Sequence, residues 1–156
     1  MTMIASAIKD GVPILISDIL VSQPQRPLYP FVLPTTMIDV LQFAKDDRKY
    51  YPIFFNQKVY VIDERVCIAF AGNLHTIKRA LEDVRMFCKI CKSVTGEQLG
   101  KHLADITKDG DWEEFACIAH VIEVGGSLVR FHSKATEGIS PLFGDVVTSG
   151  SGKADF

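Results

Sequence analysis

Thr2 has the most distinctive chemical potential in the chain, because removal of Met1 would make it the first residue. A small residue after the initiator methionine is normally exposed by aminopeptidase trimming. The free α-amine, with a pKa of about 7.7–8.0, then lies within reach of the threonine hydroxyl and can activate it as a base. The sequence therefore allows an N-terminal threonine nucleophile, although many proteins begin with Met-Thr as an ordinary processed start.

The cysteines and histidines give weaker signals for metal or redox chemistry. Cys88 and Cys91 have the CxxC spacing of some metal sites, but Cys67 and Cys117 fall in strand-like segments and no histidine follows at ligand spacing. All four cysteines lie in apolar segments, which is typical of buried free thiols. The four histidines are scattered, and no glycine-rich phosphate-binding pattern occurs. We therefore expect no metal and no cofactor.

Length and composition indicate one globular domain. The chain has 156 residues, of which 47% are hydrophobic and 23% charged, and its net charge of −2 lacks the basic excess typical of proteins that bind nucleic acid or anionic membranes. No apolar run approaches the ~18–20 residues of a membrane span. The N-terminus also lacks the basic segment of a signal peptide. We therefore expect a cytoplasmic protein that binds neither nucleic acid nor membranes.

Two strand–turn–strand patterns dominate the first half of the chain. Apolar segments at 3–8 and 12–16 flank Asp10-Gly11, a dipeptide that favours a tight β-hairpin turn. A second pair of strands is predicted at 58–62 and 66–70.

The intervening residues 19–57 follow neither pattern. Prolines between positions 24 and 34 disfavour regular structure there, and a short helix is predicted over 37–44. Aromatic residues then cluster at Tyr50, Tyr51, Phe54 and Phe55. We interpret this Pro- and aromatic-rich segment as an insertion that lies over a single domain spanning residues 1–156.

A helical pair opens the second half of the chain. Apolar residues with a helical period predict a helix from 74 to about 92, and this stripe consists of Leu74, Ile77, Leu81, Val84 and Phe87. Thr95 and Gln98 have the spacing of a capping box, which predicts a second helix over 96–108.

Strands dominate the remainder of the chain. They are predicted at 115–124, 127–131 and 142–147, with a turn region at 135–140. Strands grouped around a helical pair favour stacked, mostly antiparallel sheets and the α+β class.

Three stretches combine into a pattern with a known counterpart. From Thr2 to Asp18, a threonine opens a strand, a polar-glycine turn follows, and an aspartate ends the next strand. From Lys58 to Gly72, a lysine opens one strand and a glycine closes the next, and a Ser-Gly-Ser-Gly motif stands at 149–152. This order resembles the proteasome β-subunit family of N-terminal-nucleophile (Ntn) hydrolases, which includes the peptidase subunit of the bacterial two-component ATP-dependent protease.

The resemblance implies a fold and a role for each matching residue. The fold is a four-layer αββα sandwich. Thr2 would be the nucleophile of a threonine protease, Lys58 the ammonium that lowers the pKa of its hydroxyl, and Asp18 the charge partner of Lys58. The N–H of Gly72 would form the oxyanion hole, and Ser151 would steady the terminal amine.

Substrate binding and partners are also implied by the resemblance. Phe70 stands where the family lines its first specificity pocket, and a core position for its ring is the alternative interpretation. The substrate would be a protein or peptide, the assembly a homo-oligomeric ring, and the partner an ATP-driven unfoldase.

Two departures from the family pattern leave other functions open. The insertion at 19–57 is much longer than the family's loop, and Phe156 follows the 149–152 motif closely, where the family continues with further helices and an Asp/Ser pair. We therefore expect the C-terminal helical layer to be missing or truncated, with a longer native polypeptide or another chain covering an exposed apolar side of the strands at 127–147. The alternatives are a catalytically inactive structural subunit and a single-subunit Ntn amidohydrolase acting on a small amide.

Overall fold

The structure is a computed structural model that describes residues 3–10, 12–25, 51–108, 112–123, 126–133, 139–140 and 147–149. Within these ranges the chain forms ten β-strands and two α-helices. The strands are β1 (Ile4–Lys9), β2 (Val12–Ser17), β3 (Leu20–Gln23), β4 (Tyr51–Phe55), β5 (Val59–Val61), β6 (Val66–Gly72), β7 (Phe115–Val121), β8 (Ser127–His132), β9 (Ile139–Ser140) and β10 (Val147–Ser149). The helices are α1 (Leu74–Ile90) and α2 (Gly96–Lys108).

The two helices predicted for the second half of the chain are confirmed, and each begins with a side-chain cap. The Asn73 side chain accepts hydrogen bonds from the N–H groups of His75 (2.8 Å) and Thr76 (3.3 Å) at the start of α1. At the start of α2, the N–H of Gln98 donates to Thr95 Oγ1 (3.2 Å) and the N–H of Thr95 donates to Gln98 Oε1 (3.0 Å), which is the predicted capping box. Within the described ranges, no helix combines the length and apolar character that a membrane span requires.

A five-stranded antiparallel sheet, in the order β5-β6-β7-β8-β9, forms the centre of the structure. Its two faces differ in side-chain size, because successive residues of a strand point to opposite faces. The face that packs on α1 and α2 carries large side chains, among them Val66, Ile68, Phe70, Phe115, Val121, Val129 and Phe131. The opposite face is built from smaller ones, and Ala69, Ala71, Ile118 and Leu128 form a second cluster with Ile4 of β1.

The second sheet has the order β10-β1-β2 and packs on the face with the smaller side chains. The predicted β1–β2 hairpin is confirmed, since Lys9 pairs with Val12 across the turn. Asp10 in that turn has a φ of 53°, the left-handed conformation that tight hairpin turns use. The described layers are therefore helices, five-stranded sheet and three-stranded sheet. This mixed α/β arrangement of antiparallel sheets is compatible with the predicted α+β sandwich.

The two ends of the predicted insertion at 19–57 pair with each other. β3 and β4 form an antiparallel ladder in which Leu20 pairs with Phe55. One step further, the N–H of Asn56 donates to the carbonyl of Ile19 at 2.8 Å. The ladder therefore brings together the chain segments that flank the insertion, whatever the length between them. The predicted helix over 37–44 lies outside the described residues.

Two short strands after β8 were not predicted, while residues 142–146 of the strand predicted at 142–147 lie outside the described residues. Ile139, predicted to lie in a turn, pairs with Val129 and makes β9 the edge of the five-stranded sheet. Ser149, in contrast, pairs with Ile4, so β10 belongs to the three-stranded sheet. After β8 the chain thus contributes one strand to each sheet. Local sequence patterns do not encode which strand each of these segments pairs with.

Among the sandwich strands with described side chains, β2 and not β8 exposes apolar residues on its outer face. On β8, Leu128, Val129 and Phe131 are buried, so the expected exposure of the strands at 127–147 is wrong for this strand. Val12 and Ile16 of β2 are instead 59% and 51% exposed. Both alternate with residues that face the five-stranded sheet, so the outer face of β2 is apolar and open to solvent among the described residues.

Gly96 at the start of α2 is expected to be intolerant of a side chain. A Cβ there would approach Ser127 Cβ to 2.6 Å and Val129 Cγ2 to 3.4 Å. We therefore expect Gly96→Ala to lower the free energy of unfolding in urea by about 1–3 kcal/mol, because overpacking outweighs the better helix propensity of alanine. Gly100→Ala, within the same helix, is the matched control and should not destabilise the protein. Equal effects of the two substitutions would contradict the assigned contact.

Candidate functional site

Asp18 and Lys58 meet although they are 40 residues apart in sequence. Asp18 directly follows β2 and Lys58 directly precedes β5. The hydrogen bond between Asn56 and Ile19 closes the ladder of the insertion immediately beside them. Asp18 and Lys58 therefore meet because the β3–β4 ladder brings the end of β2 close to the start of β5, although the two strands belong to different sheets.

The two side chains form a largely buried ion pair. Lys58 Nζ donates a hydrogen bond to Asp18 Oδ1, and the exposed fraction of the side chain is 5% for Lys58 and 26% for Asp18. Removing an ammonium from water carries a desolvation penalty of several kcal/mol, which a close carboxylate must offset.

Asp18 also binds the beginning of the first strand. Its Oδ2 accepts a hydrogen bond from the N–H of Met3, while its own N–H donates to the carbonyl of Met3 at 3.1 Å. One carboxylate therefore connects the Lys58 ammonium to the residue that follows Thr2 in the chain. Thr2 itself lies outside the described residues.

Gly72 occupies a position that only glycine can fill without strain. Its φ is +133°, and a Cβ would approach the carbonyl oxygen of Glu114 to 2.6 Å and Cα of Phe115 to 2.8 Å. The N–H of Phe70 donates to the carbonyl of Lys58 at 2.9 Å. Because backbone groups alternate between the two edges of a strand, the N–H of Gly72 points to the same edge of β6, beyond the first residue of β5.

Phe70 is fully buried, with 0% exposure, on the helix side of the five-stranded sheet. Its ring packs edge-on to Tyr60 and is tilted against Phe115, each at a centroid distance of 6.2 Å. This environment favours the core interpretation of Phe70 over the substrate pocket.

Ser151 lies outside the described residues, so its contact with the terminal amine remains a prediction. The preceding strand β10 is described, and its Ser149 pairs with Ile4 at the start of β1. The chain that leads to Ser151 therefore runs beside the chain that leads to Thr2.

A cavity of about 670 Å³ borders the site, and Lys58 forms part of its lining. Most of its wall is apolar and consists of Leu15, Ile16, Ile19, Phe55, Val59 and Val61. A cavity of this size and lining could hold an apolar side chain or an extended segment of a substrate. The sequence did not reveal it, since its walls come from two sheets and both ends of the insertion.

Three of the four cysteines are poorly suited to compete as nucleophiles. Burial raises the pKa of the thiols of Cys67 and Cys117, and it raises that of Cys88 to about 11. At neutral pH they are therefore protonated thiols rather than the reactive thiolates. In the described part of the chain, no three histidine, cysteine or acidic side chains converge as metal ligands would.

No family model matches the chain, and no curated protein matches it significantly.

The Asp18–Lys58 pair should show strong energetic coupling. We expect Asp18→Asn to lower the free energy of unfolding by about 3 kcal/mol, because it leaves a buried ammonium without its carboxylate. In a Lys58→Met background the same substitution should cost less than about 1 kcal/mol, which a double-mutant cycle in urea would measure.

The exposed pair of Asp105 and Lys108 on α2, at 2.6 Å, provides the matched control. Because both side chains are largely solvated, Asp105→Asn should have little effect on stability. Equal losses for Asp18→Asn and Asp105→Asn would show that the first pair is not buried in solution.

Proposed function

We propose that the chain is a threonine-type peptide hydrolase of the proteasome-like Ntn class, with Thr2 as the nucleophile after removal of Met1. The observation that carries the proposal is the double role of Asp18, which binds the Lys58 ammonium and the N–H of Met3 through its two carboxylate oxygens. This arrangement supports a charged lysine held beside the first residues of β1, where an N-terminal nucleophile would need it.

The reaction would proceed through an acyl-enzyme. Thr2 Oγ attacks the carbonyl carbon of the scissile amide while its proton passes to the terminal amine, and the nearby Lys58 ammonium favours the developing alkoxide electrostatically. The N–H of Gly72 donates to the oxyanion of the tetrahedral intermediate. The intermediate collapses to an ester on Thr2 and releases the protonated amine product. Water then attacks the ester in a second step and regenerates the hydroxyl.

The proposed substrate is a polypeptide with an apolar residue near the cleaved bond. Support comes from the apolar walls of the neighbouring cavity, in particular Ile19, Phe55 and Val59. A small amide would leave most of this surface unused, which favours a peptidase over an amidohydrolase for small substrates.

We further propose that the described layers belong to a four-layer αββα subunit of a cytoplasmic homo-oligomeric ring that works with an ATP-driven unfoldase. The open apolar face formed by Val12 and Ile16 supports a further layer or neighbouring surface over β2. The mass of the native particle separates this assembly from a single-subunit amidohydrolase.

Intact-mass analysis and covalent labelling test the nucleophile. We expect purified protein to lack Met1, and a peptide epoxyketone or β-lactone to add once, at Thr2. Thr2→Ala should abolish the adduct while leaving the circular dichroism spectrum unchanged, because the hydroxyl is needed for attack and not for folding. An adduct at another residue, or none in a folded sample lacking Met1, would exclude Thr2 and favour an inactive structural subunit.

The role of Lys58 predicts a specific loss of turnover. Lys58→Met, which keeps the length of the side chain, should lower peptide hydrolysis by about 10²-fold or more. Lys58→Arg should fail as well, because the larger, planar guanidinium does not fit a buried site that encloses an ammonium. Lys108→Met, on the exposed side of α2, is the control and should retain full activity. Near-normal turnover of Lys58→Met would remove Lys58 from the mechanism.

A further inference from the structure

Ser6 and His120 form a buried hydrogen bond between the two sheets. Ser6 Oγ lies 2.8 Å from His120 Nε2, and the two residues are only 2% and 5% exposed. Ser6 belongs to β1 and His120 to β7, so the contact joins the three-stranded sheet to the five-stranded sheet. A polar contact enclosed on both sides by sheets depends strongly on the protonation state of its members.

A neutral imidazole suits this position and a charged one does not. In the neutral ring one nitrogen accepts a hydrogen bond, so Nε2 can accept a hydrogen bond from the Ser6 hydroxyl. In the imidazolium both nitrogens are donors, so Ser6 Oγ would have to accept and its own hydrogen would need another partner in the buried space. Nδ1 is buried without a hydrogen bond of good geometry, although the ring touches the backbone of Ile14.

The surroundings of the ring offer little compensation for a positive charge. Its strand neighbours are Cys67 on β6, whose thiol is kept neutral by burial, and Leu128 on β8. From β2, Pro13 and Leu15 line a cavity of about 340 Å³ that His120 and Cys67 also border, and the charged groups on its wall are Asp63, Glu64 and Arg65. On β8, Arg130 lies two residues from Leu128 on the same face of the sheet.

One of the two carboxylates that line this cavity already has an ion-pair partner. Asp63 pairs with Arg65 at 2.8 Å, and no described carboxylate lies within hydrogen-bond distance of the ring. Burial accordingly lowers the pKa of His120 below its ordinary value of 6.5. The backbone contact with Ile14 raises this pKa, but its effect is smaller than that of burial. The cavity, however, gives protons a route to the ring.

We propose that the Ser6–His120 contact is an acid-sensitive latch, and that protonation of His120 releases β1 and β2 from the five-stranded sheet. Within the described ranges, side-chain hydrogen bonds join these sheets or their adjoining ends at Ser6–His120 and at Asp18–Lys58. Ser6 lies in β1, and Met3, whose N–H binds Asp18, directly precedes the same strand. Opening of the latch therefore loosens the Asp18–Lys58 site as well, and any effect on catalysis rests on the function proposed above.

The direction of the pH effect follows from the lowered pKa. The open or unfolded chain, with histidine at its ordinary pKa, binds a proton more readily than the closed protein. The closed state is therefore fully favoured above pH 6.5 and loses stability as the pH falls below that value, until His120 is protonated in the closed state too. In this window the ratio of open to closed protein rises by up to tenfold per pH unit.

Hydrogen exchange on the full chain at pH 7.5 and 5.5, corrected for intrinsic exchange rates, tests the latch. We expect amides of β1 and β2 to lose protection at the lower pH relative to amides of β7. His120→Gln, whose carboxamide reaches the position of Nε2 but does not titrate, should remove this acid response. His75→Gln on exposed α1 surface is the control and should retain it. The same acid response in His120→Gln would overturn the proposal.

An NMR titration of the His120 ring in the wild-type chain decides the question even where His120→Gln does not fold. A pKa below 6.5, accompanied by chemical-shift changes of β1 amides with the same midpoint, is the expected result. Titration at or above 6.5, or without a response in β1, would overturn the latch. Neither measurement uses activity, so the failure of the latch and the failure of the proposed hydrolase function are distinguishable.

Discussion

The structure depends on one electrostatic constraint, which is that the buried ammonium of Lys58 must have a carboxylate beside it. Asp18 supplies this carboxylate from the end of β2, and Lys58 stands at the start of β5, so the ends of two different sheets have to meet. The β3–β4 ladder makes this meeting compatible with a long intervening segment. Because Asp18 also holds Met3, the same carboxylate determines where the first strand begins.

Side-chain size on the five-stranded sheet determines what packs on each face. Phe70, Phe115 and Phe131 fill the space between the helices and the sheet. Large side chains are needed there because rounded helices leave deep gaps when they pack on a sheet. Ala69 and Ala71 on the other face allow the second sheet to approach closely. The close approach encloses Ser6 and His120, so a polar pair becomes a buried one and its protonation is coupled to the contact between sheets.

Local patterns predicted those elements whose stability is local. The β1–β2 hairpin follows from the Asp10-Gly11 turn, and α2 from the reciprocal hydrogen bonds of Thr95 and Gln98. The strands at Ile139 and Ser149 were misplaced, because a two- or three-residue strand is determined by the sheet edge available to it and not by its own composition. The exposed apolar face of β2 was likewise not predicted, since it depends on which sheet lies outermost.

The sequence by itself determined the helices, the first hairpin, and the residue types able to act as nucleophile, cation and carboxylate at the candidate site. It also marked Gly72 as a glycine at the end of a strand, while only the fold shows the φ of +133° that requires it there. The tertiary structure decided that Asp18 joins Lys58 to the backbone of Met3, that Phe70 lies in the core, and that His120 faces Ser6. These contacts link residues far apart in the chain, and they depend on which sheets stack and at what distance, information that no local pattern of residues contains.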